Sequence, residues 1–401
     1  MNIPKLRFPE FKDEWEKKML GEVATVFDGT HQTPDYVTEG IPFYSVEQVT
    51  ANDFNKTKFV SKEVFGKENE RVKIERGDIL MTRIGDIGTA RYINWDVNAS
   101  FYVSIALIKQ SLKYNSEYLS HFIGTQMFQK ELWNRTIHVA FPKKINLGEI
   151  SNCIASYPTL AEQQKIATFL TSVDKKLTQL KKKKSLLEQY KKGMMQKIFS
   201  QEIRFKDENG KGYQKWEIKR LCDVAVIYDG THQTPDYQDK GVPFYSVEQV
   251  TSNNFTETKF ISTEVFENEN KRVKLEKGDI LMTKIGDIGT PKYIDWDVNA
   301  SFYVSLALIK PNLKVKGKFL CQFINTTFFQ EELHKRTIHV AFPKKINLGE
   351  IGECSVMFPC LAEQTKIAHF LSAIDAKINH CSTQIEKMLH WKKGLLQKMF
   401  C

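Results

Sequence analysis

The sequence has few cysteines and no long apolar segment. Its seven cysteines are an odd number, and none belongs to a C-x-x-C pair. This pattern favours free thiols in a reducing cytoplasm over a disulfide framework or a zinc site. No uninterrupted apolar stretch approaches the roughly 18 residues of a membrane span. We therefore expect a cytoplasmic protein that does not cross a membrane.

The motifs of common enzymes are absent as well. The sequence contains no P-loop, H-E-x-x-H, G-x-S-x-G or G-x-G-x-x-G motif, and no Asn/Asp-Pro-Pro-aromatic signature of amino-methyltransferases. His31 and His138 have no cysteine or second histidine nearby at metal-ligand spacing. The sequence therefore predicts no catalytic residue and no metal site.

Positive charge is concentrated in two segments. The formal net charge is +10, and residues 160–200 and 361–401 carry +7 and +3 of it. The rest of the chain is close to neutral, so any contact there with a polyanion depends on the placement of single cations. The run Lys181–Lys184 is typical of a solvated helix flank, and it is also compatible with DNA phosphates or an acidic partner surface.

The most informative feature is an internal repeat. Residues Trp15 to Phe199 align with Trp216 to Phe400 at a constant offset of 201, without insertion or deletion. A period of this length is several-fold longer than a solenoid repeat. It indicates two copies of a whole domain, each followed by its own tail.

The first part of each copy predicts mixed structure. In the first copy, Ile79–Ile84 and Phe101–Ile108 have the composition of buried strands, and Gly85–Gly88 is typical of a turn. Tyr118–Leu132 has the spacing of an amphipathic helix. We predict an α+β fold with two near-identical α/β domains.

The second part of each copy predicts a long helix. Thr159–Glu162 has the form of a capping box, which is weakened where Cys360 replaces the threonine. Apolar residues then follow a heptad for about five repeats, which predicts a coiled-coil helix of roughly 38 residues, interrupted at Lys184 and Lys191. The predicted helix-pair and subunit-interface residues are Ile166, Leu170, Val173, Leu177, Leu180, Leu187, Ile367, Leu371, Ile374, Ile378 and Ile385.

The connectivity predicts how the two helices pair. The first helix carries the chain from the first domain to the second, and the nearest long apolar seam for the second helix is the first one. Pairing along most of their length requires antiparallel packing, which relates the two domains by a pseudo-two-fold axis. The alternative is that each helix packs on its own domain.

Polar residues suited to contacting DNA bases stand in the predicted loops of each copy. Gln pairs bidentately with adenine, Thr contacts a base edge or the thymine methyl, and His donates or accepts. Each segment is also compatible with an ordinary solvated loop. The candidate DNA-binding residues are Thr30, His31, Gln32, Thr33, Tyr44, Ser45, Gln48, Arg83, Arg135, His138, Lys143 and Lys144, and in the second copy Thr231, His232, Gln233, Thr234, Tyr245, Ser246, Gln249, Lys284, Arg336, His339, Lys344 and Lys345.

Four short motifs recur in the same order in both copies. They are Asp-Gly-Thr-His-Gln-Thr-Pro from Asp28 and Asp229, Gly-Asp-Ile-Leu from Gly77 and Gly278, Pro-x-Leu-Ala-Glu-Gln from Pro158 and Pro359, and Lys-Lys-Gly from Lys191 and Lys392. Taken together, they make the chain resemble the specificity subunits of type I restriction–modification systems over nearly its whole length.

The resemblance implies two target recognition domains, residues 1–158 and 201–359, and two spacer helices, residues 159–200 and 360–401. It implies a non-catalytic, DNA-binding subunit that binds no cofactor itself. It also implies that two modification subunits methylate adenine with S-adenosylmethionine, and that restriction subunits use ATP and Mg to translocate and cleave double-stranded DNA. Most relatives have two dissimilar domains, whereas these are nearly identical. With the inverted geometry, this predicts an interrupted palindrome as the target.

Two other functions remain open from the residues alone. A nuclease or methyltransferase acting alone would need an acidic metal cluster or a cofactor loop, and the pure chain would then modify DNA. A scaffold whose twin domains bind a protein would show no sequence preference in a binding-site selection.

Overall fold

The computed structural model describes residues 4–400, without the side chains at 68 and 69. The six cysteines within this range are free thiols, and Cys401, predicted to be another, lies outside the described residues, as do residues 1–3 of the predicted first domain. Among the described residues, no helix is both long and apolar enough to cross a bilayer.

The first copy forms nine strands and seven helices. The strands are β1 Glu16–Met19, β2 Val26–Asp28, β3 Ile41–Tyr44, β4 Lys58–Val60, β5 Ile79–Ile84, β6 Asp86–Tyr92, β7 Ser100–Phe101, β8 Ile105–Ile108 and β9 Ile154–Tyr157. The helices are α1 Leu20–Val23, α2 Val46–Ala51, α3 Lys62–Arg71, α4 Ser116–Ile123, α5 Gln126–Arg135, α6 Leu147–Ser151 and α7 Leu160–Phe199.

The second copy repeats this order, with a 3₁₀ turn at Leu221–Asp223 in place of α1. Its strands are β10 Glu217–Arg220, β11 Ala225–Asp229, β12 Val242–Tyr245, β13 Lys259–Ile261, β14 Ile280–Ile285, β15 Asp287–Tyr293, β16 Ser301–Phe302, β17 Leu306–Pro311 and β18 Ser355–Phe358. Its helices are α8 Val247–Ser252, α9 Thr263–Asn270, α10 Gly317–Ile324, α11 Thr327–Arg336, α12 Leu348–Gly352 and α13 Leu361–Met399.

Each domain is built on a four-stranded antiparallel sheet, in the order β2-β8-β5-β6 in the first copy and β11-β17-β14-β15 in the second. Both faces of this sheet are covered, because successive side chains of a strand point to opposite faces. Ile79 and Met81 lie in the main core, whereas Leu80 between them lies in a smaller core on the other face. A three-stranded sheet, β4-β3-β7, belongs to the side of the smaller core.

Strand β5 has the predicted bounds, but two predicted elements are each divided. The run Phe101–Ile108 turns at Tyr102, whose carbonyl accepts from Ile105 N at 3.0 Å, so β7 pairs with β3 while β8 lies between β2 and β5. The predicted helix Tyr118–Leu132 is interrupted because the Thr125 hydroxyl accepts from Phe128 N at 3.3 Å and begins a new helix.

The described chain forms two compact units. One contains the chain up to Lys182 and the residues from Thr383 onward, and the other contains Lys183–Ser382. Each unit therefore combines one domain with the first half of its own long helix and the last half of the other long helix. In the first unit, Ile166 and Leu170 of α7 lie in the same core as Leu395 and Met399 of α13. The start of one helix thus packs against the end of the other.

Ion pairs in each unit confirm the antiparallel pairing. Lys392 of α13 pairs with Asp174 of α7 at 2.5 Å in the first unit, and Lys191 of α7 pairs with Asp375 of α13 at 2.7 Å in the second. Lys191, at a seam position where the predicted heptad is interrupted, thus binds a carboxylate of the other helix. The α+β class and the antiparallel coiled coil are as predicted.

The predicted seam residues are mostly buried. Leu187, Ile378 and Ile385, near the middle of the helices, are half-buried. Those buried are Ile166, Leu170, Val173, Leu177, Leu180, Ile367, Leu371 and Ile374. The first turns of each helix also pack on their own domain, as Ile166 does in the core that contains Tyr118. The alternative prediction, that each helix packs on its own domain, therefore applies to these turns.

The beginning of each long helix is held by a buried ion pair. The Arg7 guanidinium donates to both carboxylate oxygens of Glu162 at 2.7 Å, and the Glu162 side chain is fully buried. Arg204 and Glu363 form the same pair in the second unit. The predicted capping box is therefore only half present: the Thr159 hydroxyl accepts from Glu162 N at 3.4 Å, but the glutamate binds the arginine instead of returning to the cap.

Candidate nucleic-acid interface

The loop after β2 is fixed to the rest of the domain at its base. Thr30 N donates to Phe101 O at 3.0 Å, and Val103 N donates to Thr30 O at 2.9 Å. A Cβ at Gly29 would lie 1.9 Å from Phe101 O, so only glycine permits this close approach. Thr30 is consequently buried, whereas His31, Gln32 and Thr33 project into solvent. In the second copy Thr231 is buried, and the exposed residues are His232, Gln233 and Thr234.

A carboxylate at the end of β2 organises this loop. Asp28 is nearly buried and contacts His31 Nε2 at 2.9 Å, the Arg71 guanidinium, and Arg83 Nη1 at 3.6 Å. In the second copy Asp229 contacts His232 Nε2 at 3.1 Å and Lys284 Nζ at 3.0 Å. The pairing restrains the histidine ring at the edge of the loop.

The candidate cations Arg83 and Lys284 are buried rather than presented to solvent. Arg83 donates to Val103 O at 2.7 Å and to Ile145 O at 3.1 Å. Burial lowers the pKa of Arg83, and the charge of Asp28 acts in the opposite direction. This side chain joins the Asp28 loop to the segment around Ile145.

The candidates around α2 are also turned inward. Tyr44 and Gln48 are buried; Gln48 Oε1 accepts from Ser45 N at 2.9 Å, and its Nε2 donates to Lys56 O at 2.8 Å. The bond between Ser45 and Gln48 is part of the capping box of α2, and the bond to Lys56 ties α2 to the segment just before the strand that follows. The equivalent residues in the second copy, Tyr245, Ser246 and Gln249, make the same arrangement.

The segment between α5 and α6 lies beside the turn between β5 and β6. Gly85 N donates to Lys143 O at 2.8 Å, and Lys144 forms β-bridges with Ile84 and Ile137. Lys143 and Lys144 are exposed. The second copy repeats this with Lys344, whose carbonyl accepts from Gly286 N, and Lys345, which bridges Ile285 and Ile338.

The other candidates, at the end of α5 or α11 or just after it, have partners in the neighbouring helices. Arg135 pairs with Glu149 at 3.2 Å, and Arg336 pairs with Glu332 at 3.4 Å. The exposed His138 contacts Trp133 O through Nε2 at 2.9 Å, and His339 contacts the carbonyl of His334 in the same way.

Three residues beside the loop were not identified from the sequence. The Tyr102 hydroxyl lies 3.2 Å from Thr33 Oγ1, and Lys58 Nζ lies 4.3 Å from the centre of the Tyr36 ring. The same contacts recur in the second copy between Thr234 and Tyr303 and between Lys259 and Tyr237. The one feature of the sequence that points to these residues is that each has an identical counterpart 201 positions later in the second copy. Within the described residues, no group of three His, Cys, Asp or Glu side chains could hold a metal ion.

Comparison with known families decides the class of the chain. A model described as the type I restriction modification DNA specificity domain matches it twice, over residues 12–189 and 213–389. The chain belongs to this family. It is a specificity subunit rather than an enzyme, as the resemblance predicted.

Known specificity subunits are similar to this chain over all or part of its length. The MjaVIII specificity subunit of Methanocaldococcus jannaschii is 25% identical over 416 residues, which cover 98% of this chain and 92% of that protein. The EcoBI specificity subunit of Escherichia coli is 25% identical over 169 residues, or 40% of this chain and 35% of that one.

A solved specificity subunit has the same fold. The subunit from M. genitalium superposes with a TM-score of 0.66 at 15% identity and covers 100% of this chain and 99% of its own. A chain from a structure of the complex assembly and conformational transition of the type I system gives a TM-score of 0.54 at 14% identity, with 96% and 97% coverage.

Proposed function

We propose that this specificity subunit recognises a DNA target made of two copies of one short sequence, in inverted orientation and separated by a spacer. Residues 1–158 and 201–359 are the two target recognition domains, and residues 159–200 and 360–401 are the spacer helices. The exposed loop residues contact bases, and the exposed lysines of the neighbouring segment contact phosphates. Arg83, Lys284, Gln48 and Gln249 act as positioning residues.

The equivalence of the two loops carries this proposal. The nine residues from Asp28 and from Asp229 are identical. His31 lies 2.9 Å from Asp28, and His232 lies 3.1 Å from Asp229. Identical side chains restrained by the same contacts present the same donors and acceptors, and these select the same bases.

The composition of the units supports the inverted orientation. Each unit contains one domain, the first half of its own helix and the last half of the other helix. Each segment of one unit has its equivalent, from the other copy of the repeat, in the other unit. A two-fold axis that relates the two copies requires this equivalence. A two-fold protein matches a palindromic target, because each half-site is then read from its own strand.

The remaining components belong to partner subunits. We assign adenine methylation with S-adenosylmethionine to two modification subunits, and ATP- and Mg-dependent translocation and cleavage to restriction subunits. The paired helices provide the surface for assembly. We place this complex on double-stranded DNA in the cytoplasm.

Replacement of Gln32 by alanine tests the assigned base contacts. The loss of a bidentate contact costs about 1–3 kcal/mol of discrimination, or roughly 5- to 150-fold. We expect Gln32→Ala to relax selection at one base pair in one half of the target, and Gln233→Ala to do the same in the other half. A binding-site selection with the full chain and its modification subunits measures both effects.

Gln189, which is exposed on α7, provides the matched control. Gln189→Ala should select the wild-type sequence in both halves. If the Gln32 variant selects and methylates the same sites at wild-type rates, the assignment of base contacts to this loop is wrong. If the wild-type chain selects no sequence, the DNA-reading function itself is wrong.

A further inference from the structure

The segment between α5 and α6 carries an exposed apolar tip in its middle. Val139 retains 96% of its accessible surface, and Phe141 is fully exposed. Val340 and Phe342 are equally exposed in the second copy. In each copy an exposed phenylalanine and an exposed valine, two residues apart, form one apolar tip, and covering both side chains together would gain hydrophobic free energy.

The tip is supported by a braced base. The His138 ring lies 4.3 Å from the Trp133 ring, and Lys143 Nζ lies 4.7 Å from the centre of the same ring. On the other side, the backbone of Lys144 bridges Ile84 and Ile137. The apolar side chains therefore stand on a segment that is fixed at both ends.

The surroundings of the tip favour DNA as the covering surface. Two exposed cations, Lys143 and Lys144, follow Phe141 after one intervening proline and suit phosphate groups. The bond from Gly85 N to Lys143 O joins this segment to the turn between β5 and β6. Arg83, which donates to Ile145 O and lies 3.6 Å from Asp28, joins it to the Asp28 loop. Apolar residues beside phosphate-binding cations have the composition of a side-chain wedge that enters a base stack.

We propose that Phe141 and Val139, and likewise Phe342 and Val340, insert between neighbouring base pairs beside the half-site that each domain reads. The insertion unstacks one base step in each half and kinks the duplex. This proposal rests on the DNA-reading function proposed above. The inserted side chains add a contact whose binding free energy depends on how readily a base step unstacks rather than on the hydrogen-bonding pattern of the bases.

The test uses the full-length chain and duplexes of the sequence that the wild-type chain selects, with 2-aminopurine placed at one position at a time. Unstacking raises the fluorescence of this base. We expect a several-fold increase at one step in each half with the wild type, and none with Phe141→Ala/Phe342→Ala. The double variant should bind about tenfold more weakly with an unchanged salt dependence, since no cation is removed. Phe141→Leu/Phe342→Leu should recover part of both effects.

Leu112 and Leu313, each 97% exposed and outside this segment, provide the matched control. Leu112→Ala/Leu313→Ala should retain wild-type fluorescence and affinity. If the wild type binds its selected target without a fluorescence increase at any step, or if the phenylalanine-to-alanine variant matches it, the wedge is wrong while DNA reading stands. If that variant binds DNA normally but no longer co-purifies with the modification subunit, the tip is a protein contact and the wedge is overturned. If the wild type selects no sequence, the underlying function fails as well.

Discussion

Replacing Glu162 with alanine is expected to lower the free energy of unfolding of the first unit by about 3–5 kcal/mol, the usual cost of breaking a buried ion pair. The Glu162 side chain is fully buried and binds the Arg7 guanidinium through both oxygens. Its removal leaves a largely buried cation without the carboxylate that compensates it. Urea unfolding, followed by hydrogen exchange of peptides from each unit, measures the loss and locates it.

An exposed glutamate on the same helix provides the control. Glu188 is half-exposed and lies 3.8 Å from Lys184. Glu188→Ala should change the unfolding free energy by less than about 1 kcal/mol, because solvent screens such a pair. Equal unfolding midpoints for the two variants would show that the Arg7–Glu162 pair does not hold the start of the helix.

Replacing Leu170 with aspartate should have a still larger effect. Leu170 is fully buried in a core formed by the domain, the start of α7 and the end of α13. Loss of a buried leucine alone costs about 2–5 kcal/mol, and burial of an unpaired carboxylate adds to it. We expect the first unit to unfold or to release the end of α13, with loss of hydrogen-exchange protection in both segments.

Leu186, which is exposed on the same helix, makes the comparison specific. Leu186→Asp introduces the same charge and changes the helix propensity in the same way as Leu170→Asp. Because the site is exposed, its effect on stability should stay within about 0.5 kcal/mol. Protection of the α13 peptides at the wild-type level in the Leu170 variant would contradict the pairing of the start of one helix with the end of the other.

The regular elements were predictable because they repeat a physical pattern. The apolar composition of Ile79–Met81 is that of a strand buried on both faces, and the heptads define the long helices. The run Phe101–Ile108 is apolar throughout, and hydrophobicity alone does not indicate that its two halves join different sheets. The helix break depends on the Thr125 hydroxyl, whose bond is too local to alter the apolar spacing.

The candidate site was predictable only in part, since a polar residue type does not reveal its partners. Gln32 and Gln48 are both polar candidates in predicted loops, yet only Gln32 is exposed, because Gln48 donates to the carbonyl of Lys56 and accepts from the backbone N of Ser45. Arg83 is likewise occupied by carbonyls from distant segments. The segment around Phe141 was predicted to be a loop from its polar and basic residues, but residue type alone does not show that its apolar side chains are exposed.

The methylated motif in the genomic DNA of a host carrying the system is the most direct test of the central claim. Single-molecule sequencing that detects modified adenines would define both halves of the target and their spacer. The proposed inverted reading by two equal domains predicts one short word that occurs on both strands across a fixed spacer. Two unrelated half-sites, or the same word repeated in the same direction on one strand, would contradict the account.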